Sequence, residues 1–196
     1  MEEKKGKKII VGIVIALLVI AIIGLSIFLI KVINDNKPIY VEEITVDKLV
    51  NKFNSEVADS DIKYSASDEY FIAEDGFYWY GLHEDVVLHI VPVKYSEDLK
   101  KDIVLESGIF YDKDSKNEKM AMEYLEYLIK ANVSTLTDEE IKEILNQAKE
   151  LGKTNVNTKK GTGYANYGLV VTYWDNEDNY HYSIEREMEP EDEKNS

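Results

Sequence analysis

Cysteine is absent from the 196-residue sequence. That excludes a disulfide scaffold, an iron–sulfur cluster, a thiolate zinc site and lipid attachment through a thiol. Basic residues are scarce beside acidic ones: 23 Lys and Arg stand against 38 Asp and Glu, a formal net charge of −15. Nucleic-acid binding needs clustered cations that release phosphate counterions, so no nucleic-acid role is expected. The same deficit argues against a domain lying flat on anionic lipid. Histidine is rarer still, with only His83, His89 and His181.

What the chain does contain is one long apolar run. Ile9 to Ile30 holds no charge, no proline and a single polar side chain, Ser26. As a helix rising about 1.5 Å per residue it spans roughly 33 Å, the thickness of a bilayer's hydrocarbon core. Lys4, Lys5, Lys7 and Lys8 precede the run, whereas only Lys31 and Lys37 follow closely. Lysines near a span favour the cytoplasmic side. The expectation is therefore a cytoplasmic tail at 1–8, an uncleaved single-pass signal anchor at 9–30, and an extracytoplasmic remainder on a bacterial cell surface. A cleaved signal peptide would have a shorter apolar region and a small-residue site, which Phe28-Leu29-Ile30-Lys31 does not offer. Gly12 and Gly24 form no G-x-x-x-G pair, so no dedicated helix-dimer face is indicated.

Residues 31–43, with Pro38, read as a linker reaching about 40 Å when extended. Beyond the N-terminal tail the net charge is about −17, which suits cations, basic peptides or a basic protein surface. Residues 44–187 are long enough to bury one core. The final stretch 188–196 (MEPEDEKNS) lacks apolar content and reads as a disordered acidic tail.

Within 44–187 the patterning predicts an α+β domain on a mainly antiparallel sheet, in the order α-β-β-β-β-α-α-β-β. Thr45 is placed to cap a helix whose apolar face is Val46, Leu49, Val50, Phe53 and Val57. Tyr70 to Ala73 and Phe77 to Tyr80 flank Glu74-Asp75-Gly76, a hairpin signal with a type I′ turn. Val86 to Val93 is apolar on both faces and predicts a central strand, with pairing ending near Pro92. Ile103 to Tyr111 predicts a fourth strand, with Gly108 marking a bulge or bend. Capping boxes at Ser115–Glu118 and Thr137–Glu140 open two helices. In the second, Leu136 and Ile141 form a staple and Gly152 provides the stop. Gly168 to Trp174 and Tyr180 to Glu187 close the chain as alternating strands.

A helix followed by a four-strand meander, over residues 45–111, is similar in element order to cystatin-like folds. That resemblance implies a module that binds peptides or restrains proteases, and it carries no site residue with it.

The motifs for chemistry fall short. His83 and His89 are six residues apart; on one strand that is about 20 Å, too far to share a metal. With His83 taken up by a turn, His89 reads as an ordinary strand residue. Asp112-Lys113-Asp114 with Glu123 resembles a calcium loop, but Lys116 occupies a ligand place and Asn117 the glycine place. Asp175, Glu177 and Asn179 alternate oxygens, yet Arg186 stands where the closing glutamate belongs. Gly161-Thr162-Gly163 precedes a strand and lacks the lysine of a phosphate loop. Ser107 and Ser183 sit in no nucleophile-elbow context. Asn132-Val133-Ser134 fits a glycosylation sequon.

No catalytic, cofactor or metal residue is therefore assigned, and no enzymatic activity or cofactor is indicated. The aromatics remain. Fourteen tyrosines and two tryptophans concentrate in the strands. Tyr78, Trp79, Tyr80, Tyr173, Trp174, Tyr180 and Tyr182 are candidates for a binding face. Alternation forbids Trp79 from sharing a core with Tyr78 and Tyr80, so one set must look outward. The functional expectation is a membrane-anchored binding or interaction module with a protein or peptide partner. An exported hydrolase using acidic residues, or an accessory subunit of a membrane complex, are the alternatives.

Overall fold

A computed structural model describes residues 39–62, 65–67, 69–113, 118–154, 164–176 and 178–189. The Ile9–Ile30 run, most of the linker, the Ser115 capping box, Gly161–Gly163 and the tail beyond 189 lie outside the described residues. Among the described residues no helix is long and apolar enough to cross a membrane.

The described residues build an α+β fold from three helices and an antiparallel sheet. The helices are α1 (Val46–Ala58), α2 (Glu118–Asn132) and α3 (Asp138–Thr154). The strands are β1 (Phe71–Ile72), β2 (Tyr78–His83), β3 (Val86–Pro92), β4 (Val104–Asp112), β5 (Tyr164–Asn166), β6 (Leu169–Asp175) and β7 (Asn179–Arg186). Their order across the sheet is β1-β2-β3-β4-β7-β6-β5. The expected order of one helix and a meander covers α1 and β1–β4, after which β7, β6 and β5 extend the sheet.

All three helices lie on one face. Tyr78, Tyr80, Leu88, Ile90, Ile109, Tyr182, Ile184, Val171 and Tyr173 point towards them and are buried. The α1 stripe of Val46, Leu49, Phe53 and Val57 is buried as its spacing predicts. Phe53 meets Tyr124 of α2 at 6.0 Å between ring centroids. The caps also form as read. The Lys48 N–H reaches Thr45 Oγ1, and Thr137 and Glu140 satisfy each other's backbone amides at 3.3 and 2.8 Å.

Four local expectations are corrected. The Glu74–Gly76 turn is not type I′, because only Gly76 has positive φ (83°); Gly76 N–H closes on the Ala73 carbonyl and the left-handed glycine re-aligns the strand. Gly152 does not end α3, which runs on to Thr154. A Cβ at Gly152 would lie 2.6 Å from the Tyr173 ring, so the glycine allows close helix–sheet approach. β5 is an additional strand, joined to β6 through Tyr167-Gly168 with φ of 55° and 74°. Two positive φ values make a type I′-like turn, and a tyrosine in the left-handed region is not a pattern that announces it. Gly108 sits in regular register between His89 and Ser183, with no bulge; the register shifts fall at Gly81/His83 and Val91/Pro92.

Two buried charges join the elements. Asp102, 2% exposed, accepts from Tyr78 Oη at 2.6 Å, from the Ser96 amide at 2.9 Å and from the Ser96 hydroxyl. Its carbonyl receives the first amide of α1, from Val46. Arg186, at the end of β7, donates to Asn132 Oδ1 at 2.6 Å and to the Glu42 carbonyl. Burial lowers its pKa to about 10, so it stays charged at neutral pH. Asn132, the sequon residue, is itself buried and spent on Arg186 and on the Leu128 carbonyl.

Burial pushes the Asp102 carboxyl up, but the bonds from Ser96 and Tyr78 outweigh it and hold the group below the usual carboxylate range. A depressed folded pKa stabilises fully above the unfolded value, about 3.9, and that stabilisation is lost as pH falls through the folded value. Asp102→Asn is expected to cost about 1–3 kcal/mol at pH 7 in urea unfolding. The gap from wild type should narrow as the titration is repeated below about pH 4.

Candidate functional site

Alternation sends every second strand residue to the face opposite the helices. No helix among the described residues covers that face. It carries Trp79 of β2, His89 of β3, Glu106, Gly108 and Phe110 of β4, His181 and Glu185 of β7, and Trp174 of β6. Pairing aligns them in two rows. Trp79 faces His89, which faces Gly108; Phe110 faces His181, which faces Trp174. Phe71 of β1 pairs with Trp79, so it extends the same face, and it is 67% exposed.

The rings form a contiguous cluster. Phe110 and His181 stack at 3.8 Å with planes 6° apart. His89 meets His181 at 4.9 Å, Phe110 at 5.1 Å and Trp79 at 5.5 Å between centroids. Trp174 stacks over His181 at 6.3 Å. His89 Nε2 lies 3.2 Å from Glu106 Oε1. One nitrogen from each histidine and one Glu106 oxygen all lie within 4.8 Å of one another.

Gly108 makes this arrangement possible. A Cβ there would run into His89 Cε1 and the Tyr182 carbonyl and stand 3.0 Å from His181 Nε2. The missing side chain is the space into which both imidazoles lean. Its meaning is contact with neighbouring strands, not a bend in its own.

Electrostatically the site is a pair of imidazoles among aromatic rings beside one carboxylate. His89 is 3% exposed. Burial, and then proximity to His89, push the His181 pKa down to about 3, so that ring is neutral at pH 7 and keeps a free lone pair. His89 Nδ1 and His181 Nε2 are buried without a hydrogen-bond partner. Buried polar atoms left so are uncommon and call for an explanation.

The aromatic candidates divide. Tyr78, Tyr80, Tyr173 and Tyr182 are buried under the helices, and Tyr180 packs against that core. Trp79 and Trp174 belong to the uncovered face. His89 joins them there, although the sequence marks it only as a strand residue. Glu106, Gly108, Phe110 and His181 went unselected; the period-two spacing of Glu106, Gly108 and Phe110 was the one signal available. His83 ends β2 and is not part of the cluster. Four described carboxylates have shifted pKa values, and none is raised. Asp98 and Asp138 are held low by Lys101 and Lys130, Glu140 by the Thr137 amide, and Asp102 as above.

No known protein family matches the chain, and no curated protein or solved structure matches it either.

Gly108→Ala is expected to destabilise the fold by about 1–3 kcal/mol, because the methyl meets backbone as well as ring. Thermal unfolding measures this. An unchanged midpoint would show that the rings do not need the space.

Proposed function

We propose that this chain is a single-pass, membrane-anchored extracytoplasmic module of a bacterial cell surface, and that it binds a basic peptide segment on the uncovered sheet face. The observation that carries the reading is the two adjacent rows that hold Phe71 and Trp79, and Phe110 and Trp174, on that face, with Glu106 and Glu185 beside them. Rigid aromatic rings supply contact area at low entropic cost, and their faces attract Lys and Arg. The paired glutamates and the overall charge of −15 favour the same partner. β1 is a two-residue strand at the edge of the sheet, the position at which an extended segment can add to a sheet. The anchor rests on the Ile9–Ile30 run and the lysines before it.

Two measurements test the two halves. Because the chain has no cysteine, single substitutions report topology cleanly. Ser196→Cys should react with a membrane-impermeant maleimide on intact cells, and Glu3→Cys only after permeabilisation; the reverse pattern defeats the orientation. For binding, calorimetry of the full chain in neutral-lipid nanodiscs with an alternating Lys-Tyr hexapeptide should give saturable heat. Trp79→Ala and Trp174→Ala should each weaken it at least fivefold while the circular dichroism is retained. An equally strong Glu-Tyr peptide, or unaltered affinity in both variants, counts against the face.

A further inference from the structure

We infer that His89, Glu106 and His181 form a binding site for a divalent transition-metal ion of the zinc class. The site stands on the described sheet alone and needs neither the anchor nor the peptide partner.

Three strands each contribute one donor, and their ligand atoms lie within 4.8 Å of one another. Zinc bonds of about 2.0–2.2 Å in a tetrahedron place ligand atoms roughly 3.3–3.5 Å apart. His89 Nε2 and Glu106 Oε1, at 3.2 Å, already have that spacing. His181 and Glu106 are only partly buried, and both belong to strands paired in regular register around Gly108.

The donor set selects the ion. Two imidazoles and one carboxylate suit zinc, cobalt, nickel and copper, whereas calcium and magnesium want several oxygens. Each imidazole also holds a buried nitrogen without a hydrogen-bond partner. Packing alone leaves His181 Nε2 unsatisfied at a cost, and a cation there would take up its lone pair, with His89 ligating through the Nε2 that faces Glu106. Trp79 and Phe110 lie against His89, and Trp174 against His181; these rings lower the local polarity, which strengthens charge interactions there. Three protein donors leave a tetrahedral ion one position for water. Two of the three histidines in the chain, 92 residues apart in sequence, converge here.

The test uses the full chain in detergent micelles, free of any histidine tag, stripped with chelator and dialysed. Equilibrium dialysis against Zn²⁺ should load one ion per chain, with Mg²⁺ and Ca²⁺ not competing. Glu106→Gln and His181→Phe, the second keeping the stack on Phe110, should each weaken Zn²⁺ at least tenfold. His83→Gln should bind as wild type. Cu²⁺ should quench the tryptophans, which lie against the ligating rings, in wild type and His83→Gln but not in His181→Phe. Circular dichroism keeps loss of binding distinct from loss of fold. No saturable Zn²⁺ uptake by the folded wild type overturns the site. So does equal affinity in His83→Gln, His181→Phe and Glu106→Gln. Failure of the hexapeptide to bind would leave these outcomes unchanged.

Discussion

Three helices cover one face of a seven-stranded sheet, and alternation along the strands commits every other side chain to the opposite face. Most of the molecule follows from that constraint. The helix side takes four of the candidate tyrosines into a continuous core, with Phe53 and Tyr124 at the seam between α1 and α2. The other side receives what the core cannot hold. Its tryptophans, phenylalanines and histidines meet one another across strands.

Buried charge does the joining at the edges of this arrangement. Asp102 binds β2, the 96–102 segment and the start of α1 through one carboxyl and its own carbonyl. Arg186 joins the end of β7 to the last turn of α2 and to the segment entering the domain. Without disulfides, such desolvated groups fix geometry that apolar packing alone leaves loose, since an unpaired buried charge is costly. Both sit at element ends, where helix amides and strand carbonyls lack partners of their own.

The uncovered face is organised differently, around a position without a side chain. Gly108 has no side chain where β3, β4 and β7 run side by side, and two imidazoles fill the gap. Stacking on Phe110 and Trp174 dries His181 enough to keep it neutral. A carboxylate beside two imidazoles is a polar group in an apolar frame. It gives the face a chemical character that its aromatic content alone would not.

The sequence by itself determined the class of fold and most of its elements. Caps, staples and apolar periods act within a few residues, so Thr45, Thr137 with Glu140, the apolar run of β3 and the alternation in β7 were legible. Where a residue's role depends on what lies across from it, local pattern was silent or misleading. Gly152 looked like a helix stop and is a contact with Tyr173; Gly108 looked like a bulge and is a space for rings. Tyr167-Gly168 turns the chain with a tyrosine at positive φ where Asn, Asp or Gly usually stands. Only the tertiary structure decided which aromatics face outward, and only strand pairing brought His89 beside Glu106 and His181. Pairing register and the side on which helices pack are non-local, set by the whole core at once, and no window of sequence contains them.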